Sequence, residues 1–256
     1  MNLLQQNNWI VNWIKAYAKD NDQKALIIGI SGGIDSALTS TLCAQTNLKT
    51  IIVSLPIHQN KSELKNAQTH INWLCEHYDN IQPVTIELSS LFNTYKSTMP
   101  AHFHSNLGFA NTKSRIRMMT LYQIASKENG LVIGTGNKIE DFGIGFFTKY
   151  GDGGVDISPI ADLTKTEVRE LSRFCDISND ILTAAPTDGL WEEGKTDEEQ
   201  IGASYEELEW AMHNQTTTNL SVRQMEVLRI YNDFNTKNQH KMKPIPICIM
   251  PKSIIS

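Results

Sequence analysis

The sequence predicts a doubly wound α/β fold, a mainly parallel sheet flanked by helices, and three observations carry that prediction. Apolar runs of strand length alternate along the chain with stretches of helical periodicity. One such run, Ala25–Ile28, enters the glycine-rich segment Gly29-Ile-Ser-Gly-Gly-Ile-Asp-Ser36, and a helical stretch follows from Ala37. Another, Gly130–Gly134, ends in glycine followed by Thr135, at the kind of strand end where ligands gather in open parallel sheets.

Taken in order, Ile10, Trp13, Ile14 and Tyr17 recur at helical spacing and predict an opening helix. Ala25–Ile30 reads as the first strand and Thr50–Leu55 as the second. Leu64, Ala67, Ile71, Leu74, Cys75 and Tyr78 form the apolar stripe of the helix after it. Val84–Leu88 reads as a third strand, and residues 97–106 as an irregular stretch. A helix from about Leu107 carries Met118, Leu121, Tyr122 and Ala125 on one face, and Gly130–Gly134 is a further buried strand. Helix starts are marked by the capping boxes Thr164-x-x-Glu167, Ser204-x-x-Glu207 and Ser221-x-x-Gln224. Between the first two lies the acidic, glycine-punctuated segment Asp188–Gln200, expected to order on binding, with Trp191 folding over the site. No repeat or linker interrupts the chain, so one domain over residues 1–256 is expected.

Composition narrows the class. Of 256 residues 40% are apolar and 20% charged, ordinary values for a soluble globular protein. No apolar run approaches a membrane span, and the N-terminal residues lack the basic-then-apolar order of a signal peptide. Cys43, Cys75, Cys175 and Cys248 are widely spaced without a CxxC pair, which fits free thiols in a reducing cytoplasm better than metal ligands. The formal charge of −5 argues against an extended nucleic-acid surface.

The segment from Gly29 to Ser36 carries the chemistry. A strand, a tight glycine loop and a helix start present backbone N–H groups to an anion. The spacing is neither a Walker loop, whose lysine is missing, nor the GxGxxG dinucleotide fingerprint. Ser31 and Ser36 offer hydroxyls, and Gly32 and Gly33 expose amides. Asp35 would repel a phosphate unless a cation lay between them, so it reads as a magnesium ligand; the plainer alternative is an acid that caps the helix. In full, SGG-x-DS resembles the pyrophosphate loop of the N-type ATP pyrophosphatases, enzymes that split ATP into AMP and pyrophosphate.

A second constellation narrows the resemblance. Gly134-Thr-Gly-Asn-Lys-Ile-Glu140, Gly145-Phe-Phe-Thr-Lys-Tyr-Gly-Asp-Gly-Gly-Val-Asp156, Ile160-Ala-Asp-Leu-Thr-Lys165, Ala185-Pro-Thr-Asp-Gly-Leu-Trp191 and Asn111-Thr-Lys-Ser-Arg-Ile-Arg-Met118 resemble the motifs of ammonia-dependent NAD synthetases, from about Leu26 to Lys241. The resemblance implies the adenine nucleotide alpha hydrolase-like fold and amidation of deamido-NAD. ATP adenylates the nicotinate carboxylate, releasing pyrophosphate, and ammonia then displaces AMP. A carboxylate is a poor electrophile, so conversion to a mixed anhydride must precede attack by an amine. The protein's share is alignment and charge neutralisation.

The same resemblance implies the site. ATP would lie on Gly29, Ile30, Ser31, Gly32, Gly33, Ile34, Asp35, Ser36, Thr135, Lys165 and Thr187. Asp35 and Glu140 would hold Mg²⁺, with Asp35 and Lys165 as the catalytic residues. Lys165 sits in the first turn of a helix, where a cation opposes the helix dipole, a local conflict that supports a functional role. Arg115, Lys149, Asp156, His240 and Lys241 would bind deamido-NAD. Phe146 and Phe147 are expected to pack against the sheet. A homodimer is implied, and a nitrilase-like glutaminase domain is not expected. The chain departs from the family pattern at Ser54, where an arginine is frequent, and at Asn137 and Lys138, which replace an alanine-rich acid-histidine segment and are expected to alter the ammonia or nicotinate end. Amidation of nicotinate mononucleotide, another ATP pyrophosphatase such as a tRNA-thiolating enzyme, and a non-catalytic nucleotide sensor are the rival readings.

Overall fold

The computed structural model describes residues 2–186, 196–216 and 218–251. Its centre is β1 (Ala25–Gly29), which pairs in parallel with β2 (Lys49–Ser54) on one side and β4 (Gly130–Val132) on the other. β3 (Ile81–Thr85) adds to the far side of β2, giving the order β3-β2-β1-β4. The chain therefore winds outward from β1 to β3 and then crosses back to β4. That reversal opens a crevice at the carboxyl ends of β1 and β4, the place where open α/β sheets bind ligands.

Alternation along β1 builds two cores from one strand. Leu26 and Ile28 pack with Ile14 of α1 (Leu3–Asp20), Leu38 and Leu42 of α2 (Ile34–Gln45) and Leu74 of α3 (Lys61–His77). Ala25 and Ile27 pack on the opposite face with Phe92 of α4 (Ser89–Thr98) and Ile116 of α5 (Asn106–Glu128). Val168 and Leu171 of α6 (Lys165–Phe174) and Ile181 of α7 (Asn179–Leu182) join the first core. Helices thus cover both faces, as the alternating pattern predicts. A third cluster lies beyond the sheet, where α8 (Asp197–Ile201), α9 (Tyr205–His213) and α10 (Val222–Met242) enclose Ile139, Ile144, Tyr205, Leu208 and Tyr231.

The three capping boxes read from sequence all form, and Asn2 with Gln5 and Thr196 with Glu199 add two more. Ile10 and Ile14 of α1 face inward as expected, whereas Trp13 and Tyr17 are exposed. The third strand is displaced from its expected position at residues 84–88. Register with β2 sets it at Ile81–Thr85, Thr50 opposite Ile81 and Ser54 opposite Thr85. Pro83 falls inside, which is tolerated because β3 is an edge strand with one side free of partners. Pairing nevertheless continues irregularly, since the N–H groups of Ile86 and Leu88 donate to Ser54 and Pro56 carbonyls. The expected irregular stretch at 97–106 is the end of α4 followed by a 3₁₀ turn at Ala101–Phe103. Among the described residues no helix is long and apolar enough to cross a membrane. Cys43 and Cys175 are buried free thiols, and Cys75 and Cys248 are exposed ones.

Behind the glycine loop, α2 and α3 are tied by a buried polar pair. The Ser40 hydroxyl donates to the Ala37 carbonyl and lies 2.9 Å from His70 Nε2. Burial lowers the His70 pKa from 6.5 to about 4. An unfolded chain protonates this imidazole near pH 6.5 while the native one does not. Its contribution to stability is therefore complete above that pH and lost as pH falls towards 4, a change of up to about 3 kcal/mol. Melting curves at pH 7.5 and 4.5 test this: the acid-induced drop in Tm should be smaller in His70→Asn than in the wild type, and equal drops would refute the assignment.

Candidate functional site

The turn after β1 has a shape that only glycine permits. Gly32 has φ +92°, and a Cβ there would lie 2.5 Å from the Glu63 carbonyl oxygen, because α3 passes against the turn. Gly33 is the N-cap of α2 and brings no side chain to the first-turn amides, which leaves that helix end open to an anion. The two serines brace the turn from within. The Ser36 hydroxyl donates to the Gly33 carbonyl at 2.9 Å, the Gly33 N–H donates to Ser31 Oγ at 3.2 Å, and the two hydroxyl oxygens are 3.0 Å apart.

Beside this turn three charged groups from distant parts of the chain converge. The Lys165 ammonium, on a side chain only 2% exposed, donates to Asp35 Oδ2 at 2.6 Å and to Glu140 Oε1 at 2.9 Å. Asp35 comes from the first turn of α2, Lys165 from the first position of α6, and Glu140 from a π-helical turn at Lys138–Ile144. That turn has the wider i→i+5 hydrogen bonding that recurs at functional sites. Asn137, fully buried, holds it: its side-chain oxygen accepts from the Ile139 and Glu140 N–H groups, and its Nδ2 donates to Asp35 Oδ1 at 3.1 Å. Tyr205 approaches from the other side, its hydroxyl donating to Glu140 Oε1.

Electrostatics keep this cluster ionised unequally. Burial pushes the Asp35 carboxyl up, and the Lys165 ammonium only partly reverses that. Burial acts on Glu140 in the same direction, but Lys165 and the hydrogen bonds from Tyr205 and Asn137 outweigh it and bring the carboxyl below its usual range. Burial disfavours the Lys165 ammonium, yet the two carboxylates more than compensate and raise its pKa. Burial and the neighbouring Glu140 and Asp197 carboxylates push the Tyr205 phenol far up, so its hydroxyl remains a donor. Two carboxylate oxygens within reach of one cation, beside a helix start that no side chain caps, are a donor set that fits a hard divalent ion shared with phosphate.

The cluster lies in a cavity of about 1160 Å³. Its walls include all of Gly29–Ser36, Thr135, Glu140 and Lys165, and, at the far end, Arg115, Lys149, His240 and Lys241. The cations there are held by main-chain carbonyls: Arg115 donates to Lys149, Lys149 Nζ to His240 and Lys241 Nζ to Phe147. Burial lowers the Lys241 pKa. Asp152 fixes the loop between them, accepting from the Ser114 hydroxyl and the Thr148 N–H. One end of the cavity thus carries the Asp35–Glu140–Lys165 cluster, and the other carries Arg115, Lys149 and Lys241, with Asp141 and Asp152 acting on Lys241.

Asp156 is not brought to the cavity wall. Its carboxylate accepts from the Tyr122 hydroxyl and the Val132 N–H, which ties it to α5 and β4 instead. Thr187 and Trp191 lie outside the described residues, as does most of the acidic segment around them. Phe146 and Phe147 line the cavity rather than packing on the sheet, Phe146 against the third cluster and Phe147 beneath the Lys241 ammonium. Asn137 and Lys138 do not lie as expected either: Asn137 is on Asp35, and Lys138 turns away to pair with Asp162 at 2.9 Å. Ser54 supplies no cation at the end of β2, but Arg117 of α5 reaches that point and donates to the Leu55 carbonyl at 3.0 Å. Arg117, Asn137 and Tyr205 are the cavity or cluster residues that sequence reading missed. Each left a signal without a role: Arg117 is the second arginine of the Asn111–Met118 motif, Tyr205 closes the family-like segment Thr196–Tyr205, and Asn137 stands out as a departure from the family pattern.

Comparison with known proteins gives a consistent picture. A family model described as NAD synthase matches residues 6–245. An NH(3)-dependent NAD(+) synthetase from Carboxydothermus hydrogenoformans is 36% identical over 251 residues, covering 96% of this chain and 97% of that protein. One from Mesoplasma florum is 38% identical over 216 residues, covering 82% and 84%. Among solved structures, the NMN synthetase from Francisella tularensis superposes with a TM-score of 0.85 at 30% identity, covering 98% of this chain and 99% of that one.

The geometry of the turn leads to a direct test. Gly32→Ala places a side chain against main chain in a conformation L-residues resist, at a cost of about 1–3 kcal/mol. Its Tm should fall and ATP should bind more weakly than in the wild type by calorimetry; wild-type values for both would show that the turn can relax.

Proposed function

We infer, from the premise that this chain belongs to the NAD synthase family, that it catalyses the ATP-dependent amidation of deamido-NAD with ammonia to NAD, AMP and pyrophosphate. The observation that carries this reading is the cavity with a carboxylate–lysine cluster beside a phosphate-type turn at one end and a set of cations at the other. Its volume of about 1160 Å³ exceeds the range usual for a single drug-sized ligand, which supports two nucleotide-sized substrates held together.

In this reading the triphosphate lies along Gly29–Ser36, its charge met by the amides at the start of α2. A nicotinate carboxylate oxygen bonds to the α-phosphorus of ATP as the bond to pyrophosphate breaks. Ammonia then bonds to the carbonyl carbon of the mixed anhydride, AMP leaves, and the nitrogen sheds a proton. Lys165 has three N–H donors and uses two on Asp35 and Glu140, so one remains for the departing pyrophosphate. Asp35 and Glu140 would hold Mg²⁺, which when bound neutralises charge on the triphosphate. Arg115, Lys149, His240 and Lys241 would orient deamido-NAD through its phosphates. Thr135 would touch ATP at the end of β4, and Thr187 is assigned to the same pocket by motif alone. Asp156, whose exposed carboxylate is held by Tyr122 and Val132 outside the cavity wall, would meet a substrate hydroxyl from there.

One synthetase domain would span the chain. Exposed Leu91 and Tyr95 on α4, with Leu107 and Met119 on α5, offer an apolar surface for a second copy, in keeping with a homodimer. Four free thiols suit a cytoplasmic protein. The similarity to the Francisella tularensis NMN synthetase keeps nicotinate mononucleotide as the second substrate to test; the relatives at 36–38% identity favour the dinucleotide.

The assay supplies ATP, Mg²⁺ and ammonium with either deamido-NAD or nicotinate mononucleotide, and measures AMP and the amide. The larger kcat/KM is expected with deamido-NAD; a larger value with the mononucleotide would reassign the substrate, and neither product would remove the ligase reading. Asp35→Ala should lose pyrophosphate release while its circular dichroism stays that of the wild type. Retained turnover would take Asp35 out of the metal site.

A further inference from the structure

We propose that Tyr205 is a positioning residue for this chemistry, acting through Glu140 and Lys165. The inference rests on the ligase reading above and adds a residue that the SGGIDS and FFTKYGDGG motifs do not contain. Tyr205 is the first residue of α9 and is fully buried. A buried phenol needs an acceptor, and most tyrosines find one on main chain or water. This one finds two carboxylates. Its hydroxyl donates to Glu140 Oε1 at 2.5 Å and lies 3.3 Å from Asp197 Oδ2.

Two features separate this contact from ordinary core packing. Tyr205 and Lys165 converge on the same atom, Glu140 Oε1, so the carboxylate is held by two donors from different helices. The Tyr205 ring also lies under the Lys165 ammonium, with Nζ 4.8 Å from the ring centroid. A cation over an aromatic face in a desolvated setting is stabilised by the ring's negative face without using one of its N–H donors. Tyr205 therefore steadies Lys165 from behind and Glu140 from the side. It competes with neither for phosphate.

The residue is itself held from both directions. Its N–H donates to Glu198 Oε1 at 2.9 Å, and the Ser204–Glu207 capping box fixes the start of α9. The Asp197 N–H donates to the Pro186 carbonyl, which ties α8 to the end of the segment that follows α7. The ring is in this way a joint between α8, α9 and the π-helical turn that carries Glu140. Partners of this kind around a metal carboxylate set its orientation, and their loss costs about 10–100-fold in metal affinity or activity.

Tyr205→Phe removes the hydroxyl and keeps the ring, and Tyr205→Leu removes both. Three readouts separate positioning from packing: Mn²⁺ affinity by electron paramagnetic resonance in the presence of α,β-methylene-ATP, kcat and KM for deamido-NAD, and the thermal midpoint. In Tyr205→Phe the Mn²⁺ dissociation constant should rise about 10-fold or more and kcat should fall, with KM for deamido-NAD little changed. Tyr205→Leu should lose further kcat through Lys165 without a further change in Mn²⁺ affinity. Wild-type Mn²⁺ affinity and kcat in Tyr205→Phe would overturn the proposal, whatever the melting point does. The Mn²⁺ titration contains no amidation substrate. A wild-type enzyme that fails to amidate therefore counts against the ligase reading, while an unshifted Mn²⁺ constant counts against Tyr205.

Discussion

A single buried ammonium joins the parts of this molecule that matter for catalysis. Lys165 reaches 130 residues back in sequence to Asp35 and 25 back to Glu140, and so ties the helix after β1 to the turn after β4 and to α6. Taking three charges out of water is expensive, and mutual attraction repays it only when geometry is good and the remaining donors and acceptors are satisfied. Here Asn137 serves Asp35, and Tyr205 serves Glu140. The dipole at the start of α6 works against a cation, so the lysine is there because of the carboxylates and in spite of its own helix.

The sheet makes this convergence possible. Asp35 and Glu140 follow β1 and β4, neighbours in the sheet although about a hundred residues apart in the chain. Because the winding direction reverses between those strands, no crossing helix fills the gap above them, and the cavity occupies it. Two cores lock β1 from both faces, which holds the turn that follows it. The third cluster, built by α8, α9 and α10, contains Tyr205 and backs the wall that carries His240 and Lys241.

The degree to which this was legible in sequence follows from how local each feature is. The segment Gly29–Ser36 encodes a backbone shape within eight residues, and the position of Gly32 against α3 is the physical reason its glycine is required. The capping boxes are equally local, and all those read from sequence form. Strand β3 was misplaced because its register is decided by β2, and Pro83 masks it to a reading based on propensity. The roles of Asn137, Arg117 and Tyr205 were missed for a different reason. Each acts on an atom 60 or more residues away, and such a pairing exists only once the chain is folded. The π-helical turn at Lys138–Ile144 is likewise invisible to a reading tuned to a period of 3.6 residues. Motif likeness carried Asp156 into the substrate set, and the fold holds its carboxylate on Tyr122 and Val132, outside the cavity wall.

Pro83 has a role beyond register. A parallel sheet that stops at an open edge offers its outer amides to any other chain in extended form, and such edges seed aggregation when they are long and flat. The imide nitrogen of Pro83 has no hydrogen to give, and its ring stands where an incoming strand would lie. One outward position of this short margin therefore offers no amide to a second extended chain, which weakens it as a template.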